Sequence, residues 1–166
     1  MVMMLLRISH IFFGVVLAGY MIFMSLMLVP QLKRLGPAIQ IPVMLALGKV
    51  IPPVMGTSVL IVFGTGVAMT LNIRQGNLST LLSSAWGWAI ALGFVLTLAI
   101  IVVAFGLQTP RGIRMGKIGQ SSAKRAPTPQ EAQQLLKLET ELETLDSVNF
   151  VLVIITLLGM LFARYL

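Results

Sequence analysis

Apolar residues along the chain gather into four long runs, at roughly 7–30, 51–72, 83–107 and 147–164, with charge and proline collecting between them. Each run is close to the ~20 residues that a helix needs to cross a bilayer. In lipid a helix satisfies its own backbone groups, and the hydrocarbon receives its side chains, so no soluble core has to be built. The pattern predicts an all-α membrane protein, one four-span domain over residues 1–166. The first run is longer than the apolar part of a secretory leader, and no small-x-small cleavage site precedes Lys33 and Arg34, so it is expected to remain as a span.

The segments between the runs predict further elements. Pro52-Pro53 should break a helix arriving from Pro42, which separates a short interfacial helix at about 37–50 from a second span starting near Ile51. Proline is tolerated in the first turn of the helix that follows, and Lys49 would snorkel at the boundary. Residues 108–127 are basic and rich in glycine (Gly112, Gly116, Gly119), and read as a loop. Thr128-Pro129-Gln130-Glu131 is a helix start, with Thr as N-cap, Pro at N1 and Glu closing a capping box. Nothing interrupts the helix from there to Ala163. A cytoplasmic helix over 128–146 should therefore run into the fourth span as one rod of roughly 50 Å, longer than a ~30 Å hydrocarbon core. Along it Leu135, Leu138, Leu142, Leu145 and Asn149 recur at alternating steps of three and four, a narrow seam suited to another helix. A partner protein on the one hand, and the chain's own loops or the membrane surface on the other, are equally good occupants of that seam.

Charge changes the picture by giving the spans a direction. The net charge is +7, and nine of the twelve Lys and Arg residues fall between spans one and two or between spans three and four. The other three are Arg7, Arg74 and Arg164. This is the positive-inside asymmetry: both termini are expected outside, and the 108–144 segment in the cytoplasm, of a cell's inner membrane. Trp86 and Trp88 then sit in the outer interfacial belt. The same distribution argues for headgroup attraction and against a nucleic-acid partner.

Candidate chemistry is sparse. The absence of cysteine removes thiolate metal sites, disulfides and a cysteine nucleophile. All five acids lie between Glu131 and Asp146, so no carboxylate reaches mid-membrane to relay protons. Asp146 and Asn149 could line a polar entrance at the boundary. The only histidine, His10, lies in the first span in helical register with Gly14, Ala18 and Ser25, small residues of the kind at which membrane helices pack closely. Its imidazole is a candidate haem or metal ligand, with an interhelical hydrogen bond as the plainer alternative. Met21 and Met24 add soft thioethers that suit Cu(I), although methionine in a span is usually packing bulk.

Leu6-Arg7-Ile8-Ser9-His10-Ile11-Phe12-Phe13-Gly14, together with Phe63-Gly64-Thr65-Gly66 and the run after Asn149, resembles the copper-resistance D-like superfamily of small four-helix membrane proteins. The likeness is to its uncharacterised branch, with a more distant similarity to the membrane-bound protoporphyrinogen oxidases. The third span, Trp86 to Leu107, lacks the lysine and histidine of those enzymes. The resemblance implies a membrane bundle in which His10 could hold haem b or a metal. The expected function is a non-catalytic accessory or haem-associated subunit of a membrane complex, meeting lipid and other membrane subunits or itself. Copper handling through His10, Met21 and Met24, or porphyrin-directed oxidation, are the alternatives.

Overall fold

In the computed structural model, which describes residues 1–73, 81–122, 125 and 128–165, the chain forms four long helical rods. The first joins α1 (Val2–Phe23) through a π-helical turn (Met24–Leu28) to α2 (Val29–Leu35). The second is a single helix, α3 (Pro37–Ile73). The third joins α4 (Ala85–Ile101) through a π-helical stretch (Val102–Gln108) to α5 (Thr109–Ser122). The fourth is α6 (Pro129–Phe162). All four are long and apolar enough to cross a membrane. The chain thus has the make-up of a multi-pass membrane protein.

The rods pair as two antiparallel hairpins, α1 on α3 and α4 on α6, which meet mainly where α1 touches α6. Gly36 makes the turn of the first hairpin, with φ at +84°, a region that an L side chain rarely adopts. Pro37 follows as the first residue of α3, where its missing N–H has no helical partner to lose. Ser84 opens α4 by accepting from the Gly87 amide at 3.1 Å.

Two expectations about elements are corrected. No break separates 37–50 from a span starting at Ile51: α3 carries Pro42, Pro52 and Pro53 inside one helix. Prolines 52 and 53 remove the amides that would bond the carbonyls of Gly48 and Lys49. Both of those residues are exposed, so the orphaned acceptors can be solvated and the helix persists. Nor is 108–122 a loop, since α5 continues the third rod. The wider π-helical stretch absorbs the disturbance at Pro110. Side chains bond carbonyls there, Thr109 Oγ1 to Ala104 at 2.9 Å and Arg111 Nη1 to Leu107 at 2.8 Å.

The continuous helix from the capping box into the fourth span forms as expected, with Thr128 Oγ1 accepting from the Glu131 amide at 3.3 Å and Glu131 Oε2 from the Thr128 amide at 2.9 Å. Its charged half does not stand alone. Helix α5 packs along it, Arg111 pairs with Glu141 at 2.7 Å, and Lys33 of α2 pairs with Glu143 at 2.6 Å. Leu135, Leu138, Leu142 and Leu145 are half-buried and Asn149 is buried, whereas Leu136 beside them is 64% exposed. The seam thus lies on the inner side of α6, the side of its own bundle.

Candidate functional site

Two polar contacts between helices hold most of the chemistry. The first is at His10. Helical spacing places His10, Gly14 and Ala18 on the inner face of α1, while Ile8, Ile11 and Val15 are exposed. Across from it, Thr65 of α3 donates its hydroxyl proton to the Ile61 carbonyl at 2.6 Å. The His10 Nδ1 lies 3.0 Å from the Thr65 oxygen. The donor and acceptor roles in this contact follow the tautomer of the ring. Gly66 makes the approach possible, because a Cβ there would sit 3.3 Å from His10 Cε1 and 3.8 Å from the Phe94 ring. The Gly64-Thr65-Gly66 motif therefore works through Thr65 and Gly66, while Gly64 is exposed and has no neighbour within 4 Å of an added Cβ.

Met24 is buried and Met21 half-buried on the same rod. They follow His10 by 11 and 14 positions, which is roughly 16 and 21 Å of helical rise. Two ligands of one ion lie within a few ångströms of each other, so the fold does not bring His10, Met21 and Met24 to a common metal. Among the described residues no group of three or more His, Cys, Asp or Glu gathers around a point.

The second contact links the third and fourth rods where the charged half of α6 gives way to its apolar half. Gln108, the last residue of the π-helical stretch, donates from Nε2 to Asp146 Oδ1 at 2.6 Å. Its carbonyl oxygen accepts from Asn149 Nδ2 at 3.0 Å. Asn149 is 5% exposed, and its Oδ1 has no hydrogen-bond partner. Asp146 and Asn149 are adjacent on one face of α6, three positions apart. Gln108 escaped the sequence reading because it was placed in a loop. The signal that could have found it is the polar pair three apart on α6, which requires a polar residue on the facing rod.

Elsewhere in the spans the hydroxyls bond backbone within their own helices. Ser58 donates to Val54, Thr70 to Gly66, Thr97 to Gly93 and Thr156 to Leu152, at 2.7 to 2.9 Å. An apolar cleft of about 340 Å³ opens between α4 and α6, lined by residues such as Leu92, Gly93, Leu96 and Gly159; His10 does not line it. Set against known protein families, curated proteins and solved structures, the chain matches none.

Proposed function

We propose that this chain is a non-catalytic four-span subunit of a larger membrane assembly. The observation that carries the reading is the use made of its intramembrane polar groups. The His10 imidazole hydrogen-bonds Thr65 on another helix, and Ser58, Thr65, Thr70, Thr97 and Thr156 donate to backbone one turn back. Such groups set helix register and packing. In the orientation that the charge asymmetry favours, the termini are outside and α5, with the charged half of α6, projects into the cytoplasm of an inner membrane. The leucine seam then stiffens that projection, leaving the outer faces of the rods for lipid and for partner subunits.

A haem-associated role is the second reading, and the resemblance to the copper-resistance D-like superfamily favours it. Its support here is the Thr65 contact, which fixes the orientation of the ring. With Met21 and Met24 out of reach, a haem on His10 would take its second axial ligand from outside this chain. The bound group would supply electron transfer, and His10 and Thr65 would hold it. Copper handling by His10, Met21 and Met24 together has no such support.

Purification from native membranes in mild detergent tests both readings, with native mass, absorption spectrum and metal analysis measured on one sample. A particle well above the 18.0 kDa chain, with other chains in fixed ratio, is expected. A lone or self-associated chain would overturn the subunit reading. A Soret band lost in His10→Ala would establish the haem role, and its absence from wild-type protein prepared with haem available would remove it.

A further inference from the structure

We propose that Arg114 and Lys137, flanking the Arg111–Glu141 pair where α5 lies against α6, form a binding site for the phosphate of an anionic phospholipid headgroup. Charge balance is the first ground. Glu131, Glu141 and Glu143 are taken up by Arg125, Arg111 and Lys33, at 2.6 to 2.7 Å. Arg114 and Lys137 are exposed, and among the described residues neither makes an ion pair. The packing of the two helices gathers them. Arg114 is one turn beyond Arg111 on α5, and Lys137 one turn before Glu141 on α6. The helices run antiparallel with Arg111 against Glu141 at 2.7 Å, so Arg114 and Lys137 lie on the same side of that pair. Both stand within electrostatic range of Glu141, whose charge Arg111 already meets. Glu139, two positions from Lys137, is turned roughly 200° around α6 from it. Two positive charges are thus left side by side with no acid to match them.

Depth is the second ground, and it names the source of the anion. Gln108 bonds Asp146 and Asn149 where α6 turns from charged to apolar. Arg111 and Arg114 follow Gln108 by three and six residues, roughly 5 and 9 Å of helical rise. Headgroups add roughly 5–8 Å to each side of the hydrocarbon core, and long basic side chains lean along a rod to meet them. The planar fork of Arg114 matches two phosphate oxygens, and Lys137 adds a point charge beside it. A choline headgroup brings its own cation, so an anionic lipid such as phosphatidylglycerol is the better match. The fit requires the spans to lie in a bilayer. It depends neither on which side the termini face nor on the chain being a subunit.

The test uses the full chain in a non-ionic detergent. Its thermal unfolding midpoint is followed as phosphatidylglycerol or phosphatidylcholine is added to the micelles. Phosphatidylglycerol should raise the midpoint saturably, by roughly 3–6 °C at ten times its apparent dissociation constant, and phosphatidylcholine should not. The rise should be lost in Arg114→Gln/Lys137→Gln and kept in Arg7→Gln/Lys49→Gln, which removes the same charge elsewhere. Native mass spectrometry should find phosphatidylglycerol retained by the wild-type chain and lost from the first double variant, a reading of occupancy that does not depend on stability. Equal rises with the two lipids would overturn the proposal, as would no rise and no retained lipid. A rise diminished equally in both double variants would mean that net charge alone attracts the lipid, and would overturn it too. An equal rise with inorganic phosphate and no lipid would assign the site to a free anion and do the same.

Discussion

His10 and Thr65 meet because each side chain has its geometry set by its own helix first. The threonine hydroxyl is held by the Ile61 carbonyl, with its oxygen facing α1, and the glycine after it leaves room for a ring. Membrane hydrogen bonds of this kind average about 0.6 kcal/mol, because the separated helices also find partners. His10→Ala and Thr65→Val should each cost about that much beyond their packing loss, and the double variant little more than the larger single one. A double-mutant cycle in detergent, read by thermal or denaturant unfolding, checks this. Additive losses would mean that the contact contributes nothing. Gly66→Val should cost more than either, since its branched side chain enters the space of the imidazole.

At the scale of elements, α6 is defined at one end by chemistry and along its length by packing. Glu131 lies outside the membrane stretch, and the Arg125 guanidinium and the Thr128 amide hold its carboxyl down at about 2, against an ordinary 4.5. A lowered carboxyl pKa contributes stability above the ordinary value and loses it as pH falls through the folded one. The start of α6 should therefore loosen between about pH 4.5 and 2, and amide exchange in its first turn, followed across that range, should rise. In Thr128→Ala, which removes the cap, the same first turn should already exchange faster at neutral pH. The leucine seam makes a larger demand. Replacing Leu138 and Leu142 together with Glu should destabilise the bundle by about 2–3 kcal/mol, since each is half-buried and full burial of one leucine stabilises by ~1.5–3 kcal/mol. Glu139→Ala should be tolerated. Glu143→Ala, which loses the half-exposed pair with Lys33, should cost at most ~1 kcal/mol.

For the molecule as a whole, the four rods, at roughly 50 Å each, exceed a ~30 Å hydrocarbon core, and the ion pairs between rods gather at one end. There Lys33 and Arg111 bind Glu143 and Glu141, from α2 on one side and α5 on the other. The charged end is thus tied together by ion pairs, and the span end by apolar packing and the His10 contact. Salt above ~0.5 M should loosen the first and spare the second, because exposed pairs are screened over a few ångströms. Proteolysis of α5 that increases with salt, while the spans stay protected, is the expected readout. The membrane orientation can be read by thiol labelling. A cysteine placed at Ser121, near the end of α5, should resist an impermeant reagent in intact cells. One at Asn77, which like Arg74 and Lys124 lies outside the described residues, should react. The reverse pattern would invert the proposed topology.

What the sequence determined by itself is the class and the presence of four long apolar helices, because lipid partitioning depends on summed apolarity along a helix and needs no partner. It also determined the capping box of α6 and the inner face of α1, since both follow from residues three or four positions apart on one helix. Whether Pro52-Pro53 ends a helix, and whether 108–122 is a loop, was decided elsewhere: by whether the orphaned carbonyls of Gly48 and Lys49 can reach solvent, and by α5 having α6 to lie against. The same holds for the polar sites. His10 was visible as a lone imidazole, but its acceptor is 55 residues away, and the Gln108–Asn149 bond spans 41. Pairings over such distances depend on which rods become neighbours and at what depth. That is a property of four helices packed together, and no local pattern encodes it.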